Sequence, residues 1–489
     1  MSLRSLFFVA LCSVLPAAQA ADSDVDPNFG STGWRRLFEA GGGTQDDKGV
    51  AFARTADGGY VVVAELPNGG ANSGNGKRIG LFRLDRDGNT VTSFGSFGNV
   101  YKDAWLTSVT AMTIDAQGRI IVVGATPGQG GLSDFGVVRF NPDGSDDTSF
   151  AGDGGTAFGF DTSVSSDDAP TSVLAETDGK IVIAGNVQYT TTTSRFGVIR
   201  LNVDGSVDST FGSIDDGHGG RAGSFGTFAD GHAAYAGQIV HIDEGYYVIT
   251  GTSVVSGTNT DFGARILTPD GSPWSGFTGS IEVPIDYPGA GGSFYDNLTA
   301  TAVASPTRIV LAGTSSTRSA AVRLIASKVN SSNYNTLSVD TTFTTSQYSP
   351  LPNRFVGEFK DGYIQGAGVR SDGRIMLVGR YKASSVLQAD SGAMPDGTLT
   401  GQFGLMIRLA NNGSLDSSFG ISGSRLLQAP TSGGDGSDYT DICGVTFDQY
   451  RMVLMGSSAD ASSGTNDLDT VITRTQSDTI FANGFESTP

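Results

Sequence analysis

Short apolar runs, rich in Val and Ile and closed by a small residue, recur along the chain between polar turns. They read GYVVVA at 59–64, RIIVVG at 119–124, KIVIAG at 180–185, YYVITG at 246–251, RIVLAG at 308–313, RIMLVG at 374–379 and RMVLMG at 451–456. Runs this short and β-branched, bounded by turn residues, predict buried strands rather than helices. Their last residues, Ala64, Gly124, Gly185, Gly251, Gly313, Gly379 and Gly456, fall 60 to 77 positions apart, a period with insertions and no lost unit. An alternating segment of small residues precedes each run, as in GVAFART and TSVLAET, and predicts the first strand of a hairpin. A third strand follows, as in FGVVRFN and FGVIRLN, then a turn of the form Asn-Pro-Asp-Gly-Ser whose Asp and Gly suit a tight reversal. A Phe-Gly element with a further glycine three residues on, as in Phe94-Gly95 with Gly98, begins the fourth. Four antiparallel strands in about sixty residues make one propeller blade. The expected fold is therefore all-β, a seven-bladed β-propeller of four-stranded antiparallel blades occupying residues 21–475.

The two ends of this array complement each other. Asp26 to Ala40 carries a fourth-strand element with no blade before it, and the last copy stops after its third strand near Arg474. The expectation is that the N-terminal strand closes the last blade, which removes open sheet edges; the alternative is a loose leader at 21–40.

The composite DGKIVIAG followed by SRFGVIRLNVDGSVDSTFG resembles the delta-60 repeat of bacterial exported proteins, across nearly all of residues 26–475. The resemblance implies a repeat propeller without shared catalytic residues. The fifth unit departs from it, with Ala320-Ala321 in place of Phe-Gly and the insert KVNSSNYNTLSVDTTF, and the seventh lacks the terminal Asp-Gly-Ser turn.

Residues 1–20 carry Arg4, an apolar run from Leu6 to Leu15 and a small-x-small ending at Ala18 to Ala20, the pattern of a cleaved signal peptide. The run is too short to span a bilayer as a helix, and no later stretch is expected to be transmembrane. Export implies a secreted or cell-envelope protein. Residues 476–489 form a C-terminal tail outside the repeats, read either as a sorting tag or as a frayed terminus. Beyond Cys12 in the leader the only cysteine is Cys443, so the fold is expected to stand without an intramolecular disulfide. Cys443, in ICGVTF, reads as a small hydrophobe rather than a nucleophile. The net charge of −19, one unit more negative once Arg4 is lost, disfavours nucleic acid and anionic lipid and favours a soluble monomer.

Chemistry is harder to find. His218, His232 and His241 lack a recognised zinc-ligand spacing. Acidic turns offer weak calcium candidates, Asp85 and Asp87, Asp143 and Asp146, Asp204 and Asp208; the competing reading is that Asp and Asn side chains bond their own turns. An arginine recurs in the third strand at Arg83, Arg139, Arg200, Arg323, Arg408 and Arg474, which predicts pairing with acidic turns of the same or the next blade. Nucleophile elbows, Walker loops and Cys-x-x-Cys pairs are missing, so neither a cofactor nor a catalytic set is assigned. The leading expectation is an exported binding or scaffold module with an extracellular glycan or protein ligand, its loops lengthened at 213–232, 327–340 and 381–400. The alternatives are a carbohydrate-active enzyme at the channel mouth, marked by two carboxylates about 5 to 9 Å apart, and a purely structural surface or matrix protein.

Overall fold

The computed structural model describes residues 25–37, 47–67, 77–103, 105–128, 132–160, 167–190, 193–214, 223–229, 231–257, 259–273, 279–287, 294–329, 333–383, 401–420, 422–429, 439–448, 451–459 and 468–476. The leader at 1–20, His218, the tail beyond Gln476 and much of the insertions at 213–232 and 381–400 lie outside the described residues. Among the described residues the helical content is two single 3-10 turns, Phe29–Ser31 and Asp243–Gly245.

The repeat folds as its alternation predicts. The first unit pairs Lys48–Arg54, Tyr60–Pro67, Lys77–Leu84 and Asn99–Lys102 in chain order, all antiparallel. The second pairs Ala111–Ile114, Ile120–Pro127, Ser133–Phe140 and Gly155–Phe158, and the third Asp168–Ala175, Ile181–Gln188, Ser194–Leu201 and Ser224–Gly226. The fourth and fifth units share one sheet through a short parallel pairing of Asn259 and Thr260 with Phe294 and Tyr295. The sixth and seventh units are likewise bridged, at Gln402 and Tyr439.

The Val/Ile-rich second strands are buried on both faces, which is why they read as continuous apolar runs. Their closing glycine has a steric cause. A Cβ at Gly124, Gly185, Gly251, Gly313, Gly379 or Gly456 would sit 1.7 to 2.2 Å from a carbonyl oxygen of the facing first strand or, for Gly124, of Ser108 just before it. In five of these units, the third to the seventh, that first strand shifts register within a few residues of the contact, for example between Pro170 and Ser172.

The core lies between units rather than within them. Seven apolar clusters each join two consecutive units, one of them packing Val61, Val63 and Leu81 against Ile120, Val122 and Phe140. Polar latches of one recurring design tie several of these junctions. Arg139 is fully buried; its Nε donates to Asp147 at 2.7 Å, its Nη1 donates to the Val203 carbonyl in the next unit's turn at 2.7 Å, and its guanidinium lies 4.4 Å from the Phe150 ring centroid. Arg200 repeats this with Asp208, the Pro269 carbonyl and Phe211, and Arg323 with Asp340, the Asn411 carbonyl and Phe343. Phe150 and Phe211 also abut the turn glycines Gly205 and Gly271 of the next unit, which have φ of +89° and +77° and no room for a side chain. Arg83 lacks an acidic partner in its outer turn and pairs instead with Asp57.

The chain ends meet through the same contacts. Trp34–Leu37 pairs antiparallel with Leu468–Arg474, Trp34 facing Thr473 and Leu37 facing Thr470. Asp26 receives Nη2 of Arg474 at 2.8 Å, Nη1 of Arg474 donates to the Arg86 carbonyl at 2.7 Å, and the Gly30 amide donates to the Asp87 carbonyl at 2.7 Å. Phe29, Leu37, Tyr60, Leu84, Val453 and Ile472 form one cluster.

The fifth unit differs from the four-strand pattern. Its third strand runs on to Val329 and folds back as an extra strand, Asn333–Val339, while Arg354–Lys360 pairs lower on the same strand. The insert thus lengthens a hairpin and leaves the Arg323–Asp340 latch in place.

The latches set the response to acid. Burial opposes ionisation of Asp208, yet hydrogen bonds from Lys180, Thr210 and Arg200 outweigh it and hold the carboxyl well below the usual range. Asp340 is held low in the same way by Thr342, Arg308 and Arg323. A carboxyl depressed in the folded state contributes stability that is complete above its unfolded pKa of about 3.9 and is lost as pH falls below it. The melting temperature should therefore fall steeply below about pH 4, and Asp208→Asn should flatten that slope; an equally steep decline in the variant would contradict the assignment.

Candidate functional site

The first strands of all seven units line one cavity of about 880 Å³. Small residues of these strands, such as Gly49, Ala111, Ser172, Gly237, Ala300, Ala367 and Gly444, form much of its wall, in keeping with strands that crowd around a common space.

The charged side chains of the cavity, Lys48, Arg380 and Asp441, gather where the sixth and seventh units and the first meet. Asp441, on Tyr439–Asp448, is 8% exposed. Gln365 Nε2 donates to its Oδ2 at 3.0 Å, the Tyr439 hydroxyl donates to the same oxygen at 3.3 Å, and Arg380 Nη1 lies 3.8 Å away. Its other oxygen, Oδ1, is buried without a hydrogen-bond partner. Burial pushes the Asp441 carboxyl above its usual range, outweighing Gln365, Arg380, Tyr439 and Lys48, which pull it down. Burial, then the charge of Asp441, likewise raises the Tyr439 hydroxyl.

Asp441 is the one carboxylate among the described residues lining the cavity. A protonated Asp441 can donate a hydrogen bond and an ionised one can accept two, beside the donors of Arg380, Gln365 and Lys48. This set can hold a hydroxyl-rich or amide-bearing ligand. The acid and second carboxylate of a glycosidase are not both present among these residues.

The other candidates lie apart. Asp85 accepts the Asp87 and Asn89 amides, Asp143 the Ser145 amide and Asp204 the Ser206 amide, so each closes its own turn. Asp87 lies 3.3 Å from Arg474, Asp146 pairs with Lys102 at 2.7 Å, and Asp208 pairs with Lys180 and Arg200. The backbone carbonyls of Asp87, Asp143 and Asp204 accept the inter-unit bonds from Gly30, Gly95 and Ala151. Among the described residues none of these six carboxylates joins a group of three that could hold a metal ion. His232 bonds Glu282 at 2.6 Å, and His241 meets Glu176 at 3.1 Å and packs on Tyr247. Cys443 directs its thiol at the Gly49 carbonyl, and burial, then Asp441, pushes it up to about 12, far from a ready nucleophile. Asp441 escaped the sequence reading because its partners Gln365 and Arg380 lie more than sixty residues away, in another repeat. The one signal was an acidic residue within the first strand of the seventh unit, Tyr439–Asp448.

Among the described residues no helix is long and apolar enough to cross a membrane. Residues 117–150 and 176–211 match the family described as "Domain of unknown function (DUF5122) beta-propeller". No curated protein matches the chain. Similar solved structures include a protein of unknown function from Dyadobacter fermentans, at 14% identity over 91% of this chain and 100% of that one, with a TM-score of 0.36. A glucose dehydrogenase is similar at 12% identity over 71% of this chain and 95% of that one, with a TM-score of 0.39. A gluconolactonase from Xanthomonas campestris is similar at 13% identity over 95% and 100%, with a TM-score of 0.33. None of these similarities bears on the activity of this chain. The family match and the repeated four-stranded antiparallel sheets together make the fold a β-propeller built of repeats.

Proposed function

We propose that the chain is an exported binding or scaffold module, its seven units closed into a ring by the N-terminal strand, with a glycan held beside Asp441 in the central cavity. The observation that carries the ligand reading is the lone, under-satisfied carboxylate: Asp441 Oδ1 has no partner, while Gln365, Tyr439 and Arg380 meet its other oxygen and Lys48 lines the same cavity. Such a site offers both donors and acceptors to sugar hydroxyls and, among the described residues, lacks a second carboxylate to complete a hydrolytic pair. The leader at 1–20 supports export, and the acidic composition supports a soluble monomer outside the cell, away from nucleic acid. Ring closure is supported by the pairing of Trp34–Leu37 with Leu468–Arg474 and by the Arg474 latch.

A glycan array probed with the mature protein tests the ligand reading. Selective binding is expected, and it should weaken at least tenfold in Arg380→Ala and in Asp441→Asn. A blank array would leave the structural role, and cleaved glycans would mark an enzyme; either result overturns the proposal.

A further inference from the structure

Away from the cavity wall, three carboxylates converge where the fourth unit meets the fifth. Asp261 lies on the third strand of the fourth unit, Asn259–Leu267; Asp296 lies on the first strand of the fifth, Phe294–Ser305; Asp286 lies on the link between them. One carboxylate oxygen from each lies within 4.8 Å of the other two. The short parallel pairing of Asn259 and Thr260 with Phe294 and Tyr295 fixes the two strands side by side at this point.

Part of the arrangement is structural. Asp296 is fully buried and accepts the Ile285 and Asp286 amides at 2.6 and 3.2 Å and the Ser315 hydroxyl. Asp168 accepts the Phe160 amide in the same way at the junction of the second and third units, so this role needs only one carboxylate. Asp134 stands there at the position of Asp261, but no third carboxylate joins that pair among the described residues.

What the fourth junction adds is unexplained by the fold. Asp261 is 7% exposed, it faces the other two carboxylates, and its Oδ1 is buried with no hydrogen-bond partner. Glu282 lies close enough to act on it, and burial together with Asp296, Asp286 and Glu282 pushes its carboxyl up to about 7. The buried cation facing the group, Arg354, commits its guanidinium to the Pro284 and Pro352 carbonyls, each at 2.6 Å. His232 is engaged by Glu282. Negative charge thus exceeds positive charge in a largely dry place, an arrangement that costs stability unless a cation joins it.

We propose that this junction is a calcium site, with Asp261, Asp286 and Asp296 as its protein ligands. The donors are all hard oxygens, with no thiolate or imidazole among the three. Two oxygens on opposite sides of one calcium stand at most about 5 Å apart, given bonds of about 2.3–2.6 Å, and the observed spread lies within that span. Asp286 is partly exposed, leaving a side for entry and for water ligands. A bound ion would cross-link two units at a junction that an ordinary latch arginine does not serve.

Calcium chloride titrated calorimetrically into the chelator-treated mature protein tests the proposal, with thermal melts in parallel. Wild type should take up calcium and melt higher with it. Asp261→Asn should lose at least tenfold in affinity and should melt in chelator no lower than wild type, because it removes an uncompensated charge. Asp286→Asn, at a half-exposed position, should lose affinity similarly and guards against misfolding of the first variant. Absence of uptake and of any melt shift in wild type, or calcium affinity unchanged in both variants, would overturn the assignment.

Discussion

Replacing Arg139 by alanine is expected to destabilise the protein by about 3–5 kcal/mol, as when one member of a buried ion pair is removed. Arg139 has no solvent exposure, and its loss leaves the buried Asp147 without its 2.7 Å partner, the Val203 carbonyl without a donor and the Phe150 ring without its cation. The cost is a buried charge left with only Arg119 at 3.9 Å and the Ser149 hydrogen bonds, so Arg139→Met with Asp147→Leu should recover much of it. Denaturant melts of the single and double variants check this. Lys77→Ala sets the scale, since that side chain is 42% exposed and makes only a 3.6 Å pair with Glu65, worth about 0–1 kcal/mol. A loss in Arg139→Ala no larger than in Lys77→Ala would remove the latch from the account.

Loss of residues 21–40 is the second large effect. Phe29 and Leu37 are 0% and 4% exposed, and side chains so buried each stabilise by about 1.5–3 kcal/mol. Their removal also bares the edge of Leu468–Arg474 and strips Asp26 from Arg474, which is 2% exposed. An uncovered edge invites pairing between molecules, so the truncated chain should both melt far lower and aggregate.

Much of this was legible in the residues. The third-strand arginines, the Asp-Gly turns and the Phe-Gly elements recur because several junctions use the same latch, at Arg139, Arg200, Arg323 and Arg474, and a requirement repeated in one chain shows itself without any second sequence. The complementary ends were legible for the same reason, since Asp26 and Phe29 are recognisable as displaced parts of a known unit. The extra strand at Asn333–Val339 was visible as an insert, but an insert's pairing depends on how far the neighbouring strand can extend. Asp441 and the Asp261, Asp286 and Asp296 group break the repeat, and their partners come from different units, so no spacing announced them. The trace left by Asp261 is local: Asp precedes Phe-Gly in SDFGVVRF and TDFGARIL and in no other third strand.

The central claim is that the N-terminal segment completes the last unit. In the second unit Arg139 and Asp147 are joined by a turn containing Pro142, Asp143, Gly144 and Ser145, and the bridge of Phe140 with Asp146 matches that of Thr475 with Val25. A circular permutant can therefore begin at Asp47, join Gln476 to Val25 through Pro-Asp-Gly-Ser, and end at Ala40. Thermal melting of this permutant beside the deletion is the most direct measurement. The permutant should melt at or above the wild-type temperature while the deletion melts far lower; a permutant as unstable as the deletion, or a deletion as stable as wild type, would overturn closure by the N-terminal segment.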